Sequence, residues 1–377
     1  MLKITICSLF LGGKMKGKSS LTLWLLVPVM VALFALSLVA LPSLQRQKPQ
    51  QPKGAPIYIP DEVKKVMLAG MASREPRLDI PFTITHNLYL PAREGLHSIF
   101  FLKIKNADLG YHPLSQAQPV KKEESGAQET QSQTPSGPQV QASFNMFLMF
   151  NLLEGDNYKT VREVYVPCNL VEDASTINLE GEDYYTFGYP LLAGHYLLSV
   201  ALTSLDLKKI GVQYYEFTLP DPASYQQALD TTPIFFIKSI DRIEAPEMRT
   251  MLHREYFTYS VVKIVPNIER VFKVGENLDI FFFIFGAQPT AEQKYNIEIN
   301  YEVKKGDELA IRWVPQTYDN PLVSQPLPLK QTVIIKQGEE QRQETRDLPE
   351  GKYTLGIQIQ DKVSGKTLTK TVDFEVK

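Results

Sequence analysis

From Phe82 to the C-terminus, apolar residues recur at every second position in short runs. Phe82, Ile84, Leu88 and Leu90 form one such run, and Phe100, Leu102 and Ile104 another. Tyr295, Ile297, Ile299, Tyr301 and Val303 alternate with Asn296, Glu298, Asn300 and Glu302. A period of two puts one face of a strand in a core and the other in water, as in an antiparallel sandwich. The same signal predicts strands at 144–152, 161–166, 184–189, 196–202 and 212–219. It continues at 234–240, 256–265, 278–285, 309–314, 332–335, 353–359 and 368–376. One stretch differs. In Asp61–Ser73 the residues Val63, Val66, Met67, Gly70 and Met71 fall at helical spacing behind Pro60 and Asp61, which predicts one short amphipathic helix.

Breaks in the pattern divide the chain. Residues 111–141 are rich in Gln, Ser, Pro, Lys and Glu and nearly free of large apolar residues, which predicts a disordered insert between two strands. Residues 221–232 predict a linker. A repeat links the flanking regions. Leu191-Leu192-Ala193-Gly194-His195-Tyr196-Leu197-Leu198 aligns with Leu348-Pro349-Glu350-Gly351-Lys352-Tyr353-Thr354-Leu355, and Glu216–Leu219 aligns with Asp373–Val376 at the same offset. Each copy holds a Gly suited to a turn and a Tyr that can bury its ring while its hydroxyl finds a partner. The expectation is an all-β protein of two tandem immunoglobulin-like antiparallel sandwiches, at 58–220 and 233–377.

Leu21–Leu41 carries no charge and is long enough to cross a hydrocarbon layer, which takes about 20 helical residues. Lys14, Lys16 and Lys18 precede it with no acidic residue, so residues 1–20 face the cytoplasm and the body lies outside. Arg46, Lys48 and Lys53 on the far side weigh against that orientation. The segment reads either as an uncleaved anchor or as a signal peptide cut near Ala35-Leu36-Ser37. Both readings export the body, and Met15 is a second candidate start. Residues 42–57, rich in Pro and Gln, predict an extended stalk.

Composition adds two constraints. The net charge is −2, but residues 1–57 hold seven Lys or Arg and no Asp or Glu, leaving 33 basic against 42 acidic residues, about −9, beyond them. An acidic body argues against a nucleic-acid partner. Cys7 and Cys168 fall on either side of the apolar segment, so they cannot pair across a membrane. Cys168, in an apolar strand context, reads as a small buried hydrophobe.

The C-terminal repeat, with Asp361-Lys362, Ser364-Gly365-Lys366 and Val372-Asp373-Phe374, resembles the end of exported bacterial GWxTD-domain and von Willebrand factor A-related proteins. Ile264-Val265-Pro266 through Leu278-Asp279-Ile280, and Ile80-Pro81-Phe82 through Gly95-Leu96-His97, share that likeness. The resemblance implies exported β-sandwich regions, a fold more than an activity. The GWxTD motif is missing, and Asp173-Ala174-Ser175-Thr176-Ile177 lacks the last Ser of the A-domain metal site.

The chemistry-bearing motifs are few. His86, His97, His112, His195 and His253 form no His-Glu-x-x-His pair. There is no Gly-x-Ser-x-Gly elbow, phosphate loop or dinucleotide fingerprint. Glu180, Glu182 and Asp183 are calcium candidates in a loop-like stretch. Tyr184, Tyr185, Phe187 and Tyr189 follow, and would make a ligand platform if exposed or one more core strand if buried. The sequence therefore predicts a non-enzymatic, membrane-tethered envelope protein without a cofactor that binds a protein partner. A carbohydrate-binding module using the Tyr184–Tyr189 stretch and a cryptic hydrolase are the alternatives.

Overall fold

The computed structural model describes residues 59–114, 137–337 and 340–377. The expected anchor Leu21–Leu41, the stalk and most of the 111–141 insert lie outside these residues. Helix α1 (Asp61–Met71) opens the described chain. The strands of the first half are β1 (Arg77–Leu78), β2 (Phe82–Pro91), β3 (Leu96–Lys105), β4 (His112–Pro113), β5 (Gln139–Glu154), β6 (Asn157–Asp173), β7 (Glu182–Leu191), β8 (Gly194–Thr203) and β9 (Ile210–Leu219). The second half begins with β10 (Asp230–Thr231), β11 (Phe235–Arg242), β12 (His253–Arg254), β13 (Phe257–Tyr259), β14 (Val262–Pro266), β15 (Val271–Phe272) and β16 (Asn277–Phe285). It continues with β17 (Ile297–Lys305), β18 (Glu308–Arg312), β19 (Gln316–Tyr318), β20 (Leu322–Pro328), β21 (Lys330–Gln337), β22 (Glu340–Asp347), β23 (Gly351–Asp361) and β24 (Thr367–Val376).

The chain is all-β apart from α1 and two short 3-10 turns. In the first half, a sheet in the order β1-β9-β8-β5-β4, with β6 also on β5, faces a sheet ordered β12-β7-β3-β2. Phe100, Leu102, Met146, Leu148, Phe150, Phe187, Leu198 and Val200 fill the space between them. The second half repeats this arrangement. A sheet ordered β15-β24-β23-β17-β18 has its own core in Leu278, Ile280, Phe282, Ile299, Tyr301, Leu355 and Ile357. The opposite layer runs β10-β16-β11-β14-β13, with β20 on β16. Pairing is antiparallel except between β15 and β24.

Three strands are apolar on both faces, and each therefore carries a second packed layer. Phe147 and Met149 of β5, on the side away from the first core, are covered by Val63 and Met67 of α1. Ile99 and Phe101 of β3 turn away from that same core and meet Phe235, Ile237, Phe257, Ile264 and Phe281 of the second half. Phe281 belongs to β16, whose alternate residues Ile280 and Phe282 fill the second core. This seam makes the two halves one body, and Ile57–Lys377 forms a single compact unit. The 221–232 stretch is partly ordered. Asp221 caps a 3-10 turn at Pro222–Gln226, and β10 pairs with β16.

The ends of the expected insert are ordered too. His112 and Pro113 pair with Gln141 and Val140, and β5 starts at Gln139. Cys168 is free and buried, and burial pushes its thiol pKa up. Among the described residues, no helix is long and apolar enough to cross a membrane.

Candidate functional site

The sequence-based candidates all sit on or beside β7, and the structure uses them in four different ways. Glu180 pairs with Lys105 at 2.8 Å and Glu182 with Lys103 at 3.1 Å. Lys105, by its hydrogen bond and charge, holds the Glu180 carboxyl below its ordinary range. Asp183 accepts from Arg254 Nε and from Asn106 Nδ2, both at 2.7 Å. The three carboxylates thus turn to three different cations. No group of three or more His, Cys, Asp or Glu among the described residues could hold a metal ion.

The aromatic stretch is divided as well. Tyr185 and Phe187 are fully buried, so they cannot serve as an exposed platform. The Tyr185 hydroxyl donates to Asn106 Oδ1 at 2.6 Å, and burial drives its pKa up. Phe187 stacks on Phe100 in the first core, ring centroids 5.1 Å apart. Tyr184 points the other way and donates to Glu269 Oε1 of the second half at 3.1 Å. Tyr189 stacks on Phe150 at 4.9 Å and reaches a solvent-open cleft.

Part of the β7 edge is occupied by the second half. Between β11 and β13 the chain crosses over, and β12 pairs His253 with Thr186 and Arg254 with Tyr185. Glu255 N–H donates to Tyr184 O at 2.7 Å, Thr186 Oγ1 to Tyr256 O, and Tyr259 Oη to Pro91 O at 2.7 Å. Arg254 also contacts Glu172 at 3.2 Å and donates to Thr176 O at 2.8 Å. Burial opposes its charge, but the hydrogen bond and charge of Asp183 outweigh it and raise its pKa. Nearby at the seam, His86 stacks on Phe101 at 4.3 Å. Burial, assisted by Arg270, lowers its pKa to about 4.

The cleft has a volume of about 680 Å³ and lies where the β2–β3 turn, the adjoining ends of β5 and β6 and the β7–β8 corner meet. Leu152, Val161, Tyr189, Leu191 and Tyr196 line it, Leu192 borders it, and Arg93, Glu94 and Arg162 stand at the rim. Its size falls in the usual range for ligand sites, about 300–1,000 Å³. Arg162 Nη1 donates to Val161 O at 2.9 Å. Leu192 is 66% exposed.

The repeat supplies a second copy of this corner. Tyr196 donates to Leu192 O at 3.1 Å, and Tyr353 donates to Pro349 O at 2.8 Å. Gly194 and Gly351 both have φ 154°, a conformation that favours Gly. Tyr196 stacks on Phe217 at 5.4 Å, and Tyr353 on Phe374 at 5.7 Å. Asn151 lies opposite Leu197 as Lys304 lies opposite Thr354, so Lys305 takes the place of Leu152. Its ammonium sits 5.6 Å from the Tyr353 ring centroid. Pro349 and Glu350 replace Leu192 and Ala193. The hairpin β21–β22 is inserted at this corner, closed by Leu348 N–H donating to Leu329 O at 2.8 Å.

Tyr189 is therefore the one aromatic candidate at the cleft. Sequence reasoning passed over Leu192, Arg93, Arg162 and the cross-over arginine Arg254. The signal for Leu192 lay in the repeat itself, where an apolar residue faces a proline in the other copy.

No family model matches the chain, and no curated protein matches it. Among solved structures, it is similar to a Salmonella alpha-2-macroglobulin mutant, with 8% sequence identity and a TM-score of 0.16. The match covers 80% of this chain and 16% of that one, so this chain spans about a sixth of that protein.

Proposed function

We propose that the chain is an exported, membrane-tethered, non-enzymatic protein that presents a rigid β-scaffold to a protein partner in the cell envelope. In this reading its halves are tandem immunoglobulin-like domains, about 58–220 and 233–377. The strand orders support it: β9-β8-β5-β6 faces β2-β3-β7, and β24-β23-β17-β18 faces β11-β16-β20. Each is a seven-stranded antiparallel sandwich arrangement with a tyrosine corner. Leu21–Leu41, preceded by lysines and followed by a Pro/Gln-rich stalk, supports the tether. The likeness of the strand-and-turn residues to exported GWxTD-domain and von Willebrand factor A-related proteins favours the same location.

One observation carries the interaction role. Two corners share the same backbone and the same Tyr hydrogen bond, yet only the first leaves Leu192 exposed beside an apolar cleft. In the second half Pro349, Glu350 and Lys305 occupy the positions of Leu192, Ala193 and Leu152, so exposed leucine is not a requirement of the fold. This reading places the partner at that exposed leucine, beside the apolar cleft.

The test is in-cell cross-linking of the intact chain, then purification from membranes and mass spectrometry. Protease added to intact cells, or to spheroplasts where an outer membrane intervenes, tests export. A protease-accessible body with a reproducible envelope partner is expected. A protected body, or a chain that cross-links to nothing, would overturn the reading.

A further inference from the structure

We infer that the first-half cleft receives an extended peptide segment of a protein partner in which apolar residues alternate with Asp or Glu. The inference rests on the interaction role proposed above and adds the chemistry of the partner.

Two strand edges border the cleft. β6 pairs with β5 along its length, and no strand among the described residues pairs with its other edge. β12 covers β7 only at Tyr185 and Thr186, and Thr250 Oγ1 donates to Gly188 O at 3.2 Å, so at the cleft this edge offers the Pro190 carbonyl and no N–H. The β6 edge can supply main-chain donors and acceptors to an added extended segment, and the β7 edge an acceptor. Side chains of such a segment alternate in direction. One set would enter the floor formed by Leu152, Tyr189, Leu191 and Tyr196. The other set would face the rim.

The rim selects the charge of that second set. Arg93 and Arg162 outnumber Glu94, and Arg93 has no ion pair among the described residues. The rim is thus locally positive on a body of about −9. Carboxylates on an incoming strand would find the guanidinium forks there, which suit them geometrically.

The second half provides an internal precedent. There the chain's own β21, an extended strand paired with β22, leaves from this corner and approaches β18 without joining its sheet. β18 starts where β6 carries Thr160 and Val161, because Leu309 is opposite Lys304 as Thr160 is opposite Asn151. The first half has no such insertion, since only Leu192 and Ala193 separate β7 from β8.

The full chain, purified in lipid nanodiscs, would be titrated against a short fluorescent peptide alternating Val with Asp, with a Val/Lys peptide as control. Anisotropy should report micromolar binding of the Val/Asp peptide and none of the control. Arg93→Glu and Leu192→Glu each alter an exposed side chain, and each should weaken binding about tenfold or more. Arg93→Glu combined with Arg162→Glu should transfer preference to the Val/Lys peptide. The inference is overturned if the Val/Asp peptide fails to bind at millimolar concentration, or if these variants leave its binding unchanged. Displacement of the peptide by dodecanoate at lower concentration would make the cleft a site for small amphipathic anions instead. Self-association that Leu192→Glu abolishes would make the occupant a second copy. If in-cell cross-linking captures a partner at another surface while the peptide fails, the interaction role stands and only this inference falls.

Discussion

The two tyrosine corners are the same structure with different surfaces. Each places a Gly at φ 154° two residues before a Tyr that bonds back to the carbonyl four residues earlier. Around the first, Leu152, Val161 and Leu192 leave an apolar opening; around the second, Lys305, Ala310 and Pro349 stand at those positions and a hairpin is inserted. Backbone geometry and the Tyr hydrogen bond are therefore what the fold requires. What differs is free to serve function.

The largest test acts on what holds the two corners in one body. Phe101 is fully buried in the seam and lies edge-on to Phe257 at 6.3 Å. Phe101→Ala should cost about 3–5 kcal/mol and split one calorimetric transition into two. A single transition that merely moves to lower temperature would show that the halves do not melt as separable units.

Acid should loosen the same seam. The His86 pKa is about 4 in the folded chain, against about 6.5 unfolded. The unfolded chain therefore binds the extra proton first, and stability falls as pH drops from 6.5 toward 4. The loss is about 2 kcal/mol after allowing for partial exposure. His97 adds to it in the same direction, since burial lowers its pKa while Glu247 opposes that shift. His86→Gln should flatten the pH profile of unfolding measured by denaturant titration.

The corner glycines should differ in degree. A Cβ at Gly194 would lie 2.5 Å from Leu152 Cδ1, whereas one at Gly351 would lie 3.1 Å from the mobile end of Lys305. Gly→Ala should cost about 1–3 kcal/mol at each, with the greater loss at Gly194. Equal losses would mean that Leu152 yields as easily as Lys305. The smallest effect should also be the most even: Tyr196→Phe and Tyr353→Phe should each cost about 1 kcal/mol.

Much of the fold was legible in the sequence because alternation marks strands directly. Ile297–Val303 lies in β17 with its dry face in the second core, and the repeat correctly aligned Tyr196 with Tyr353. The seam was not legible. A run such as Ile99-Phe100-Phe101-Leu102 shows two apolar faces but not what covers the second. β20 went unread because Pro326 and Pro328 argue against a strand, yet among the described residues its only strand partner is β16, and edges tolerate proline. β22 carries no apolar residue. The cross-over containing Arg254 has no alternation, because its backbone pairs for only two residues. At the site, burial separated Tyr185 and Phe187 from Tyr189, and period two alone gives no sign of where a strand's end opens to solvent.

The most direct test places a photo-cross-linking amino acid at Leu192 in one chain and at Pro349, its counterpart, in another, both expressed in cells. Both positions are exposed. The account predicts a discrete higher-mass adduct from position 192 and none from position 349. Adducts of equal yield from both, or from neither, would contradict the claim that the first corner is the one built to meet a partner.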